Sequence, residues 1–191
     1  EKGMHKIREK RREMILMRER EQRAAGIVLG IEKILFLKRI DGCLVYTPSL
    51  CRLLTRVIRV AKPDIILSPD PGNYSFDSFG RFHRDHRITA EAVFDAIYPA
   101  AGSLAFFPEL AKKHILPHMP KEAWFYNTDR PDIYVDIGVT ITLKLKALSM
   151  HASQIKDMEK VAAIIKNRAR EIGRKKRVHY AEAFRRLEIP A

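Results

Sequence analysis

KPDIILSPDPGNYSFDSFGRFHRDHR, residues 62–87, is the stretch that decides how this chain is read. Lys62-Pro63-Asp64 breaks a preceding apolar helix pattern, and Asp64-Ile65-Ile66-Leu67 follows as a short buried strand. Asp, Pro, Gly, Asn and Ser then crowd into a loop. The loop closes on His83-Arg84-Asp85-His86, directly before another apolar helix. A loop that leaves the C-terminal end of a strand and gathers His and Asp is where an α/β protein keeps its chemistry.

Working outward, residues from about Met4 to Leu29 read as one long helix. Met14, Met17, Glu21, Ala25 and Val28 recur at three- and four-residue steps, and Gly30 sits at the C-cap. Arg18 and Glu21 share a face with Ala25, either as an exposed ion pair or as the lining of a pocket. Ile34 to Leu37 reads as a strand, and Asp41-Gly42 as a turn. Leu50 to Ala61 is helical, with Leu53, Leu54, Val57, Ile58 and Ala61 inward. Beyond the loop, Ile88 to Ala100 is helical, and residues 101–120, with three prolines, form an irregular lid or rim. Ala123–Tyr126 and Ile133–Val135 are short strands. Val139 to about His151 and about Lys156 to Glu171 are helices, and the tail Val178 to Leu187 holds a last amphipathic turn or two. Helix and strand alternate, which predicts an α/β domain with a mainly parallel sheet and crossovers. The chain, 1–191, reads as one domain without internal repeats.

Composition narrows the function. A hydrophobic fraction of 46% and a charged fraction of 31% fit a globular protein. Apolar runs are too short to span a bilayer, no apolar leader is visible, and Cys43 and Cys51 match neither a zinc motif nor a disulfide framework. These features predict a cytoplasmic protein with reduced cysteines. The net charge of +13 comes from 36 Lys and Arg against 23 Asp and Glu. It concentrates at the ends, as in Lys166–Arg177, KNRAREIGRKKR. No aromatic residues interleave with these charges and no helix-turn-helix or zinc-finger pattern appears, so solvated helix faces are expected and nucleic acid is not an expected partner.

Among the seven histidines, His83 and His86 stand three apart around Asp85. Imidazole and carboxylate are good zinc ligands, yet the same residues could cap a helix N-terminus. His114 and His118 are split by Pro117 and are expected to be structural or surface residues. There is no G-x-S-x-G, P-loop or G-x-G-x-x-G.

Four stretches carry a resemblance to one family. They are REREQRAAGIVLG (18–30) with FLKRIDG (36–42), and KPDIILSPDP (62–71) with HRDHR (83–87). The third is Val135-Asp136-Ile137 with Lys144, Ala147-Leu148, His151 and Ser153-Gln154, and the fourth is YAEAFR (180–185). In this order the chain resembles the LmbE/PIG-L family of zinc-dependent N-acetylglucosaminyl deacetylases. The resemblance implies a Rossmann-like three-layer α/β domain and hydrolysis of an N-acetyl sugar to acetate and amine. His86 would be a zinc ligand, His83 would stabilise the oxyanion, and Asp85 would hydrogen-bond a histidine. Arg18 would reach the sugar. His151 would lie near the substrate, in some relatives across a subunit interface. The implied cofactor is Zn2+, and the implied partners are a small amino-sugar or glycoconjugate substrate and further copies of the chain in a homo-oligomer.

Two departures stand out. Arg84 occupies the proline position of the family's H-P-D-H. The family's A-H-P-D-D-E strand, with two zinc ligands and the general base, is not in the sequence. The expected reading is a domain incomplete at its N-terminus, lacking its first strand. The alternatives are a degenerate, non-catalytic sugar- or anion-binding homologue, or a metal site rebuilt from Asp70, Asp77, His83 and His86.

Overall fold

A computed structural model describes residues 2–74 and 82–189. The chain divides into two compact units, one of Glu1–Leu37 and Val135–Glu182, the other of Lys38–Tyr134 and Ala183–Ala191. In chain order the elements are helix α1 (Lys2–Val28), α2 (Pro48–Ala61), strand β1 (Ile65–Pro69), α3 (Arg84–Asp95) continued by a π-helical turn (Ala96–Ala101), α4 (Pro108–Ala111), β2 (Glu122–Tyr126), β3 (Ile133–Asp136), α5 (Ile141–Ser149), α6 (Met158–Arg174) and β4 (Ala181–Glu188). The strands pair in the order β1-β2-β4-β3. The α/β class expected from the sequence is the one observed. β1 and β2 run parallel with Ile66 opposite Ala123, and β4 joins antiparallel with Leu187 opposite Ala123.

In the unit containing residues 38–134, α2 starts where the sequence places it. Pro48 takes the first turn, and the Thr47 hydroxyl accepts from Leu50 N at 3.1 Å. Lys62 ends the helix in the left-handed conformation. The apolar side of α2 supplies Cys51 and Ile58 to a core with Ala96, Ile97, Ala100 and Ala101 of the π-helical turn and Ala123 and Phe125 of β2. Alanines at the turn let it lie close to the sheet. Segment 101–120 is no loose rim. Leu110 is buried, and the His118 Nε2 pairs with the Pro63 carbonyl at 2.8 Å. Arg59, 1% exposed, anchors the start of the segment. Its Nε donates to Ala101 O (3.1 Å), and the two hydrogens of its Nη2 are shared among the carbonyls of Ala100, Ser103 and Phe106 at 2.9, 2.7 and 2.9 Å.

In the other unit, α1 ends on Gly30 at φ 70°, with Ile31 N reaching back to Gly26 O at 2.9 Å. Ile137, Ile141, Ala169 and Tyr180 form the core. α6 closes tightly at Gly173, where an added Cβ would stand 2.5 Å from the Val178 carbonyl oxygen. That neighbour is backbone and cannot rotate away. Gly173→Ala is therefore expected to destabilise the protein by about 1–3 kcal/mol, although alanine is the better helix former. Urea denaturation checks this. A midpoint equal to or above the parent's would show that the 173–179 turn yields freely.

Two expectations need correcting. Ile34–Leu37 makes no strand: Ile34 packs toward Gly26, and the Arg23 guanidinium lies 5.0 Å from the Phe36 ring centre. A short apolar run becomes a strand only when a partner offers a ladder. The tail is not helical either. Residues 181–188 form β4, because pairing with β2 and packing of Phe184 on Trp124 (5.7 Å between ring centres) override the helical preference of Ala, Glu, Arg and Leu. Cys43 is exposed, Cys51 is buried and both are free. No helix among the described residues is long and apolar enough to cross a membrane.

Candidate functional site

His83, Asp85 and His86 stand at the N-terminus of α3, close behind the loop that leaves β1. His83 is the N-cap, and its Nδ1 accepts the Asp85 backbone N–H at 3.2 Å. An acceptor at Nδ1 places the proton of the neutral ring on Nε2, whose N–H has no partner among the described residues. The His83 and His86 ring centres are 5.5 Å apart, and both side chains are exposed.

The Asp85 carboxylate faces elsewhere. Oδ2 accepts from Gly42 N at 2.6 Å and Oδ1 from Leu44 N at 3.1 Å, while the Arg84 Nε donates to Leu44 O at 3.1 Å. The pair Arg84–Asp85 thus clasps segment 42–44 to the start of α3. The expected hydrogen bond from Asp85 to a histidine runs instead through its backbone N–H. Burial alone would push the Asp85 carboxyl up. The Gly42 and Leu44 N–H groups, with the Arg84 charge adding, outweigh it and hold the carboxyl below its usual range. Arg84, the departure from the family motif, has work that proline could not do, because its side chain grips a carbonyl.

Arg18 and His151 lie in the other unit, which also brings together two residues the sequence left undecided. Glu21 Oε1 accepts from Ser153 N and Oε2 from the Ser153 hydroxyl, both at 2.7 Å. The turn held this way begins at His151, whose carbonyl accepts from Gln154 N and Ile155 N at 2.9 Å each. The Nδ1 of His151 is buried without a hydrogen-bond partner among the described residues. Glu21 is held below the usual carboxylate range, first by the Ser153 hydroxyl and then by its N–H, with the charges of His151 and Arg18 adding. Of the two readings open for Arg18 and Glu21, the inner-face reading suits Glu21. Its signal was the three-residue step to Arg18, and its partner lies 132 positions away.

A depressed carboxylate stabilises the fold above its unfolded-state value and loses that contribution as pH falls through the folded-state value. The 151–155 turn is therefore expected to be fully held at neutral pH and to loosen in acid. Glu21→Gln is expected to loosen it at neutral pH and to flatten the acid response. Amide hydrogen exchange of residues 153–155 reads both, and unchanged protection in the variant would remove Glu21 as the clamp.

The zinc implied by the resemblance can be tested against these residues. Among the described residues, no group of three or more His, Cys, Asp or Glu could hold a metal ion. His83 and His86 form only a pair. Both Asp85 oxygens are taken, and Asp70 Oδ1 accepts from Gly72 N at 2.7 Å in its own turn. Asp77 lies outside the described residues. The described residues by themselves do not fit a zinc site.

A family profile described as PIG-L: GlcNAc-PI de-N-acetylase matches residues 1–97, and the chain belongs to this family. Over 146 residues it is 31% identical to the diacetylchitobiose deacetylase of Thermococcus kodakarensis, covering 74% of this chain and 51% of that protein. Among solved structures it is similar to the N,N'-diacetylchitobiose deacetylase from Pyrococcus horikoshii in complex with its inhibitor MPG, with a TM-score of 0.82 and 29% identity over 91% of this chain and 64% of that one. The conserved protein TT1542 from Thermus thermophilus shares the fold, with a TM-score of 0.74 at 23% identity over 92% of this chain and 75% of that one. The chain thus spans about half the length of the curated relative it matches.

Proposed function

We propose that the protein hydrolyses the acetamide of an N-acetylglucosamine-type sugar. Water adds to the carbonyl carbon, the C–N bond breaks, and acetate and a protonated amine leave. The observation that carries this reading is the His83 corner, on a chain of the PIG-L family similar to a diacetylchitobiose deacetylase. An exposed imidazole with Nδ1 committed to Asp85 N and an Nε2–H that has no partner among the described residues is a donor suited to the oxyanion of a tetrahedral intermediate. Asp85 is a positioning residue, because its carboxylate fixes the 42–44 segment while its N–H fixes the ring. His86 is proposed as a zinc ligand, with the further ligands not supplied by the described residues. Arg18 and His151 are proposed for substrate binding by their match to the family motifs.

The test is incubation with N,N'-diacetylchitobiose. Acetate and free amine released in equal amounts, and lost with a chelator, support the reading. Neither product, with sugar binding that a chelator does not touch, favours the degenerate sugar-binding alternative, for which the histidine pair without a third ligand among the described residues is the supporting observation.

A further inference from the structure

One cavity is built from the same elements as the His83 corner without containing its histidines. It holds about 370 Å³ and is lined by Tyr46, Pro71, Tyr74, Glu91, Phe94 and Asp95. Three elements build it, and each is tied to the corner. Pro71 and Tyr74 come from the loop after β1. Tyr46 follows the 42–44 segment clasped by Arg84 and Asp85. Glu91, Phe94 and Asp95 lie on α3, the helix that His83 caps. Glu91 stands eight residues after His83, about 12 Å along the helix axis. That is the order of the span of two linked pyranose rings.

The lining is chemically specific. Tyr46, Tyr74 and Phe94 offer aromatic faces, on which the C–H face of a sugar ring or a cation can rest. Glu91 and Asp95 are one helical turn apart and face the same space. Asp95 Oδ2 accepts from the Tyr46 hydroxyl at 2.7 Å, which orients the Tyr46 ring at the cavity wall and leaves Oδ1 for a ligand. Phe94 is steadied behind by Phe125, 6.0 Å between ring centres. Among the described residues, no Lys or Arg lines the cavity, in a chain carrying +13. Aromatic faces and two carboxylates, without a lining cation, suit a ring that carries an ammonium group.

We propose that this cavity is a subsite for a protonated amino sugar, a glucosaminyl ring with its amine free, next to the ring acted on at His83. Naming an amino sugar rests on the proposed function. The ammonium would meet Glu91 and the open oxygen of Asp95, and the ring would lie against Tyr74 and Tyr46. The consequence is a preference for oligosaccharides in which one neighbour is already deacetylated.

The test is calorimetric titration of the full chain with D-glucosamine, N-acetylglucosamine and tetramethylammonium, alongside acetate release. Glucosamine is expected to bind on the order of tenfold more tightly than either other probe, since only it offers both the charge and the ring. Glu91→Gln, which leaves the Tyr46–Asp95 bond in place, is expected to remove most of that advantage. Tyr74→Leu is expected to weaken both sugars. Equal binding of glucosamine and N-acetylglucosamine, or an unchanged Glu91→Gln variant, overturns the subsite. Equal binding of tetramethylammonium overturns the sugar assignment. Acetate release without glucosamine preference overturns the subsite alone, whereas glucosamine preference without acetate release overturns the deacetylase reading alone.

Discussion

Replacing Arg59 with leucine is expected to lower stability by about 3–5 kcal/mol, the largest loss of any single substitution outside the apolar core. Arg59 is 1% exposed, and its three Nε and Nη2 hydrogens are shared among four carbonyls, those of Ala100, Ala101, Ser103 and Phe106. Ala101 O also accepts from His118 N at 3.0 Å and Ser103 O from Phe106 N at 3.2 Å, so the carbonyls of Ala100 and Phe106 lose most when the guanidinium goes. Leucine fills part of the volume and satisfies none of them. Burial lowers the Arg59 pKa and the Glu109 charge works against that. The group stays charged, because an arginine titrates far above neutral pH. Lysine would keep the charge but lose the planar fork that reaches several acceptors at once, so Arg59→Lys is expected to fall between parent and leucine. Guanidinium denaturation with circular dichroism measures both. A leucine variant within about 1 kcal/mol of the parent would mean that water replaces the fork at no cost.

Arg59 also shows where sequence reading stops. α2 was legible because its apolar residues repeat at helical spacing and Lys62-Pro63 ends it. β1 was legible as a strand from its short apolar run between turn residues, although Ile65 and Leu67 are exposed and not buried as expected, and the His83 corner was legible as a cluster behind a strand. Within α2, however, Arg59 looked like any basic residue near a helix C-terminus. Its partners are main-chain carbonyls more than 40 positions away, and a carbonyl leaves no trace in side-chain pattern. The same holds for the Glu21 clamp on Ser153. Asp85 was found, but its partners Gly42 and Leu44 contribute only backbone N–H groups, so a histidine was the natural guess for its carboxylate. β4 was missed for a different reason. Local propensity favours helix there, and only the edge of β2 makes it a strand.

Replacing His83 with asparagine is expected to cut acetate release from an N-acetyl amino sugar by about 10²–10³-fold, equivalent to roughly 2.7–4 kcal/mol of transition-state stabilisation. The choice of asparagine separates chemistry from folding. His83 does two things in this structure: it caps α3 by accepting Asp85 N–H, and it presents Nε2–H to solvent. Asparagine is among the best N-cap residues, so it can take over the first task with little loss of helix stability. Its side chain is too short to carry a donor to the place where Nε2 stands. Alanine removes both functions and adds about 1 kcal/mol of lost capping to the catalytic defect. If His83 donates to the oxyanion, the loss in asparagine appears in kcat while KM moves little, because the hydrogen bond strengthens only as charge develops on the oxygen. If its role is merely to hold α3, asparagine restores activity and alanine does not. Steady-state kinetics on the two variants, with thermal unfolding run beside them, decides between these outcomes. An asparagine variant within about threefold of the parent in kcat would reduce His83 from an oxyanion donor to a cap.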